Sequence, residues 1–241
     1  MALMHRAAVR TAMILAAGRG ERMRPLTDAI PKPLAIAGDR PLIVHTVQHL
    51  AAAGITNIVI NLAWRGRQLR DALGDGSSWG VDIAYSDEGE QALETGGGIV
   101  KALPLLGPEP FWVVSGDLWT DYPYAQRGEC LTGTDLAHLV MVPNPEFHPQ
   151  GDFFLTSGRV GETAIAPQSQ RLTYASIGLF RPELFLGRSS GITSMVPWLR
   201  EAMSQARVSG ERFDGSWYNV GTVAQLQALT LRLTGRLTRM P

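Results

Sequence analysis

Cysteine is nearly absent: Cys130 stands alone among 241 residues, which excludes an intrachain disulfide and fits a reducing compartment. No histidine or basic cluster neighbours it, so nothing nearby in sequence would activate its thiol. An excess of charge is lacking too, since 22 basic residues balance 22 acidic ones and no block of like charge stands out. That removes the sequence-wide electrostatic footprint of a nucleic-acid binder, although a few cations can still converge in space on a local anion. No apolar run approaches the ~20 residues of a membrane helix. Residues 12–17, behind two arginines in the first ten positions, are too short for a secretory leader and run straight into a charged, glycine-rich loop. The expectation is a cytoplasmic protein with neither nucleic acid nor membrane as partner, in which residues 1–10 are a short extension.

What is present is enough apolar material, 45% of the chain, to bury roughly 70–75% of the unfolded surface without a structural metal. Residues 12–17 read as a buried strand and 42–53 as a helix opened by Pro41. Residues 57–62 then read as a strand, 66–73 as a short helix, 81–85 as a strand, 97–106 as a helix and 111–114 as a strand. This alternation, followed by antiparallel elements in the second half, predicts an α/β fold with a mixed, mostly parallel sheet flanked by helices. The second half changes character. Strands are expected at 136–142, 153–155, 160–165 and 172–180, with Ser157-Gly158 as a two-residue hairpin turn. A helix over 192–206, strands at 208–213 and 217–220, and a helix capped by Thr222 and running to Leu233 complete the reading. One domain over 11–241 is expected, with two functional halves that divide at about residue 120.

The most informative stretch is Leu15-Ala16-Ala17-Gly18-Arg19-Gly20-Glu21-Arg22-Met23-Arg24-Pro25-Leu26-Thr27, followed by Pro31-Lys32-Pro33-Leu34. A strand feeding a small-residue loop lets backbone N–H groups approach phosphate oxygens. Gly18 and Gly20 are expected to supply unusual dihedrals, while Arg22, Arg24 and Lys32 put cations within reach of a triphosphate. A Walker loop is not matched, and the dinucleotide fingerprint lacks its third glycine, where Met23 stands.

The longer string closely resembles the signature of the sugar-nucleotide pyrophosphorylase family, nucleoside-triphosphate transferases with a Rossmann-like fold. The resemblance implies that Leu15, Ala16, Ala17, Gly18, Gly20 and Arg22 hold the NTP, and that Lys32 neutralises charge around the reacting α-phosphate.

Asp117 follows the apolar strand at 111–114, the place where open α/β sheets bind ligands, and its carboxylate could hold Mg²⁺. A turn aspartate bonded to its own backbone is the plainer alternative. The resemblance implies the metal role, and it implies a second ligand in Trp217-Tyr218-Asn219-Val220-Gly221-Thr222. There Asn219 stands where many relatives carry aspartate, although some hexosamine-1-phosphate uridylyltransferases use asparagine. Asn219 could instead only order the turn before the last helix. Asp121 is expected to order the segment after Trp119-Thr120. His45 and His49, spaced i,i+4, lack a third zinc ligand and read as packing residues.

Glu94-Thr95-Gly96-Gly97-Gly98 is a second glycine cluster, read either as a helix start or, with the resemblance, as nucleoside contact through Gly96 and Gly97. Together with residues 116–122 and Gly151-Asp152-Phe153, it is similar to the N-acetylmuramic acid α-1-phosphate uridylyltransferases, the peptidoglycan-recycling branch. The C-terminal β-helix of the acetyltransferring hexosamine enzymes is not present in the sequence. In that reading Glu94, Gly151, Asp152 and Ser176 line the sugar pocket.

The activity implied is Mg²⁺-dependent transfer of a nucleotidyl group from an NTP, UTP favoured, to a sugar 1-phosphate. Arg22, Lys32 and Asp117 would be catalytic, in a monomer or small homo-oligomer. Guanylyl, thymidylyl or cytidylyl transfer to another phosphorylated substrate stays open, as does a non-catalytic regulator that binds sugar nucleotide. The absent third glycine disfavours a nicotinamide oxidoreductase.

Overall fold

The computed structural model describes residues 9–127 and 131–235; Cys130 and most of the expected N-terminal extension lie outside them. β1 (Thr11–Leu15) leads into the glycine loop, followed by the four-residue α1 (Leu26–Ala29), the hairpin of β2 (Ile36–Ala37) and β3 (Arg40–Pro41), and α2 (Leu42–Ala52). Next come β4 (Asn57–Leu62), α3 (Gly66–Leu73), β5 (Asp82–Asp87), α4 (Glu94–Leu106) and β6 (Phe111–Ser115). The second half holds β7 (Leu118–Thr120), β8 (Ala137–Val142), β9 (Phe153–Thr156), β10 (Arg159–Gly161) and β11 (Gln170–Phe180). It ends in α5 (Val196–Ser204), β12 (Val208–Arg212), β13 (Trp217–Asn219) and α6 (Val223–Leu233).

Nine strands form one continuous sheet in the order β5-β4-β1-β6-β11-β8-β12-β10-β9. The first four are mutually parallel, whereas β11 runs antiparallel to both β6 and β8. The sheet is therefore the mixed, mostly parallel α/β sheet expected, and it joins the two halves through the β6–β11 pairing.

Alternation along each strand sets the two faces. From β1, Ala12 and Ile14 join Ile43, Val47 and Leu50 of α2 and Leu69 of α3 in one core. Met13 points the other way, into a second core with Ile99 and Ala102 of α4 and Leu199 of α5. Both faces are thus covered, as a parallel sheet requires. A third cluster packs Leu226 and Leu229 of α6 on Met23 and Val220, tying the last helix to the glycine loop.

Several boundaries differ from expectation. α2 begins at Leu42 as expected, but Pro41 takes the cap position and not the first helical one, and the helix ends at Ala52. β10 is only three residues long. Beyond it the amides of Ile165 and Ala166 donate to Ser169 Oγ rather than to a neighbouring strand, and Ile165 is exposed. The Ser157-Gly158 turn does form, both residues having positive φ as a type I′ turn demands. α5 is shorter than expected because Thr193 bonds to Leu93 and Gly97 across to α4. Thr222 caps α6 by accepting the Gln225 amide at 3.3 Å.

Candidate active site

The carboxyl ends of β1, β4, β5 and β6 open onto a cavity of about 540 Å³, the position favoured for ligands in open α/β sheets. Leu15, Ala16, Ala17, Gly18, Gly20 and Arg22 form one wall, and Lys32, Glu94, Ser115 and Asp117 contribute to the rest. The loop residues, Arg22, Lys32 and the carboxylate singled out in the sequence thus meet in one place, whereas Arg24 is not on the wall and pairs with Asp28 at 3.2 Å.

Gly20 explains the loop's path. Its φ of 68° is left-handed, and a Cβ there would lie 2.9 Å from Lys32 Cβ and 3.0 Å from Thr27 Cγ2. Thr27 Oγ1 donates to Gly20 O at 2.9 Å, so the loop folds tightly over the Lys32 segment. Gly18 needs no unusual dihedral, contrary to expectation; it is exposed, and a Cβ on it would meet only open space. The alanines leave the cavity unobstructed. Trp64 steadies the loop from the far side, its Nε1–H donating to Thr27 O at 3.1 Å with Arg19 stacked over its ring at 4.5 Å.

Lys32 Nζ pairs with Asp117 Oδ2, and Ser115 Oγ donates to Oδ1 at 2.5 Å. Asn219 reaches the same end of the sheet by strand pairing. It stands opposite Leu118 in the β13–β7 ribbon, and Val220 N donates to Asp117 O at 3.0 Å. Asp117 and Asn219 offer hard oxygen donors of the kind Mg²⁺ accepts. Among the described residues no cluster of three or more His, Cys, Asp or Glu could hold a metal. A protein set this sparse suits an ion that keeps water and substrate phosphates as its other ligands.

A second cavity of about 440 Å³ lies alongside, lined by Asp152, Ser176, Asn219 and Arg200 among others. Arg22 lines both cavities, its guanidinium lying over Gly221, whose added Cβ would meet Nη2 at 3.0 Å. Ser176 is placed there by a bulge in β11, where the register against β8 shifts and φ becomes 55°. Asp152 accepts from Tyr174 N at 2.8 Å, and its other oxygen lies 3.1 Å from His148 Nε2. Burial, with the charge of Asp152 adding to it, pushes the Tyr174 phenol well above its ordinary value, so the phenol stays protonated.

Three assignments require correction. Glu94 belongs to the first cavity, not the second. Gly151 lies on neither wall; it turns the chain with φ 63°, and a Cβ would strike Asn144 Oδ1 at 2.6 Å. Gly96 and Gly97 also stand behind the cavity. A Cβ on Gly97 would sit 1.9 Å from Gly191 O, one on Gly96 2.7 Å from Thr193 O, and Gly97 N donates to Thr193 O at 2.9 Å. These glycines permit close packing of α4 on the 191–193 segment, which the helix-start reading accommodates. His45 and His49 hydrogen-bond Ala37 O and Thr120 O at 2.8 and 2.9 Å. Asp121 takes the Ser216 amide at 2.7 Å. All three are structural.

Sequence reasoning missed Asn61 and Glu88, both buried and both on the first cavity's wall. Asn61 Oδ1 accepts Ala16 N at 2.6 Å, and its Nδ2 donates to Glu88 Oε1 at 2.7 Å. Glu88 Oε2 accepts Leu93 N at 2.7 Å. The pair therefore clamps the glycine loop to the segment entering α4. The signal was there to read: a lone polar residue inside the apolar run of β4.

Residues 11–148 match the Nucleotidyl transferase family model. The chain belongs to this family. N-acetylmuramate alpha-1-phosphate uridylyltransferase from Neisseria meningitidis serogroup B is 49% identical over 90% of this chain and 95% of its own. The protein of that name from Caulobacter vibrioides is 33% identical over 94% of this chain and 98% of its own. A mannose-1-phosphate guanyltransferase from Aspergillus fumigatus is 42% identical, but over only 49% of this chain and 33% of its own. In fold, the nucleotidyltransferase resembles a solved UDP-glucose pyrophosphorylase complexed with UDP-glucose, with a TM-score of 0.75, 18% identity, and coverage of 95% of this chain and 100% of that one.

Proposed function

We propose that this nucleotidyltransferase transfers uridylyl from UTP to N-acetylmuramic acid 1-phosphate with Mg²⁺, releasing pyrophosphate, in cytoplasmic peptidoglycan recycling. The observation that carries the reading is Arg22, a single guanidinium on the wall between two adjoining cavities. One cavity has the phosphate-loop architecture for an NTP, and the other has room for a sugar. The uridylyl and muramyl assignments draw on the two relatives of that name, whose similarity spans both cavities. Similarity to the guanyltransferase covers only 49% of this chain, which makes guanylyl transfer the second reading.

The chemistry needs no protein nucleophile. A phosphate oxygen of the sugar 1-phosphate attacks the α-phosphorus of UTP in line; that P–O bond forms as the bond to the β-phosphate bridging oxygen breaks, and pyrophosphate carries away the electron pair. Two anions must be brought together, so the chain's work is positioning and charge neutralisation. Backbone N–H groups of the loop receive the triphosphate, Lys32 faces the α-phosphate, and Arg22 can fork to oxygens of both substrates. Asp117 and Asn219 would hold Mg²⁺, which supplies Lewis-acid neutralisation of the phosphate oxygens when bound. The Asn61–Glu88 clamp keeps the loop in its receiving shape.

Phosphate release in the presence of pyrophosphatase, across four NTPs and a panel of sugar 1-phosphates, tests this reading. The fastest release is expected with UTP and N-acetylmuramic acid 1-phosphate. Fastest release with GTP and a hexose 1-phosphate would favour the second reading, and silence with NTP binding intact would refute both.

A further inference from the structure

We infer that Arg200 recognises a carboxylate on the sugar, the lactyl carboxylate that separates N-acetylmuramic acid from N-acetylglucosamine; this rests on the substrate reading above. The second cavity carries two guanidinium groups, one more than the phosphate end of the sugar requires. Arg22 stands on the wall shared with the NTP cavity and serves the phosphate end. Arg200 is a second cation on the wall. Asp152, the carboxylate on the same wall, is hydrogen-bonded to Tyr174 N and His148 Nε2 and not to Arg200.

Arg200 is delivered by the register of α5. Val196 and Arg200, one turn apart on the same face, both line the cavity, while Leu199 and Ala202 are buried in the core. Its Nε lies 2.7 Å from Glu162 Oε1 on the loop after β10. A guanidinium has five N–H donors, and one carboxylate takes up two at most, so donors remain for a ligand. Glu162 also fixes the side chain's orientation, which reduces the entropy lost when a ligand arrives.

The chemistry selects the ligand. Hydroxyls alone give a guanidinium no charge partner, whereas a carboxylate matches its planar fork. N-acetylmuramic acid is N-acetylglucosamine with a lactyl ether on O3, so the two 1-phosphates differ by that one carboxylate-bearing group. An unmatched hydrogen-bonding site rejects an analogue strongly when it is dry and weakly when it is wet. Arg200 is half exposed, so discrimination on the order of 10–10³-fold is expected.

Arg200→Ala, Arg200→Lys and Glu162→Gln would be compared with the wild type in the full-length protein with Mg²⁺ and UTP, all checked for folding by thermal melting. Steady-state kinetics would give KM and kcat for N-acetylmuramic acid 1-phosphate. Inhibition constants would be measured for N-acetylglucosamine 1-phosphate as a competitor. Arg200→Ala should raise KM for the muramyl substrate on the order of 10–10³-fold with kcat much less affected. It should leave the competitor's inhibition constant and the KM for UTP unchanged. Arg200→Lys should recover part of the loss, and Glu162→Gln should change KM by no more than about threefold. A folded Arg200→Ala or Arg200→Lys protein with wild-type discrimination would overturn this inference and leave the substrate reading standing. A wild type that ignores the muramyl substrate but uses another sugar 1-phosphate would overturn the substrate reading, and this inference with it.

Discussion

Lys32 and Asp117, 85 residues apart in the chain, form a largely buried ion pair on the wall of the NTP cavity. The pair holds the cation and the carboxylate proposed to bind Mg²⁺ at one point. Substrate and Mg²⁺ would exchange this internal pairing for external ones, and each partner should then be indispensable. Lys32→Ala and Asp117→Asn should each lower kcat on the order of 10²–10³-fold, with circular dichroism unchanged. Wild-type turnover in either variant, measured by pyrophosphate release, would contradict this.

Arg22 should matter to both substrates. Arg22→Ala is expected to lower kcat/KM for UTP and for the sugar 1-phosphate alike, on the order of 10²-fold. Arg22→Lys should recover little, because an ammonium is a point charge and not a fork. Steady-state kinetics with each substrate varied in turn decides this, and a defect confined to one substrate would argue against a shared contact.

The clamp makes a stability prediction. Asn61→Ala strands the Ala16 amide and removes a donor from buried Glu88. A cost of about 1–3 kcal/mol is expected, together with a raised KM for UTP. Chemical denaturation and kinetics together check it, since an effect on stability alone would leave the loop's shape independent of Asn61.

Gly97→Ala should fail by packing, not by losing nucleoside affinity. Its Cβ would fall 1.9 Å from a backbone oxygen, so a loss of roughly 3 kcal/mol or more is expected, about 6 °C or more in melting temperature. A stable variant with weakened UTP binding would restore the direct-contact role for this glycine.

Glu211 supplies a pH signature. Burial pushes its carboxyl up, but His138 beside it at 3.7 Å, the Tyr122 hydroxyl, which donates at 2.5 Å, and the charge of Arg127 outweigh it, so the group lies below its ordinary value. A lowered folded-state value stabilises above the unfolded value of about 4.3, and that contribution is lost as pH falls through the folded value. Glu211→Gln should therefore be less stable than wild type at pH 7, with the gap closing below about pH 4. Urea midpoints measured from pH 7 to pH 3 would show this, and a gap that persists at pH 3 would contradict it.

Local physics made much of the fold legible. The apolar run of β4, the spacing of α3 and the Thr222 cap each depend on neighbours within a few residues, and the structure places them where the sequence indicated. The glycine loop was legible as well, because its motif carries its own geometry. What escaped depends on distant partners. Gly97 meets the 191–193 segment nearly a hundred residues later, and Ser169 reaches back to end β10 early. Asn61 finds Glu88 only when β4 and β5 pair. Asp152 and Ser176, singled out in the sequence, do share the second cavity, but Arg200 enters it only because α5 presents that face.

Isotope labelling tests most directly whether an oxygen of the sugar phosphate becomes bonded to the α-phosphorus of UTP. N-acetylmuramic acid 1-phosphate labelled with ¹⁸O in its non-bridging phosphate oxygens would be incubated with UTP, Mg²⁺ and the protein, and both products weighed by mass spectrometry. The account predicts UDP-N-acetylmuramic acid retaining every label, with unlabelled pyrophosphate in equal amount. Label in the pyrophosphate, or no UDP-sugar at all, would contradict it.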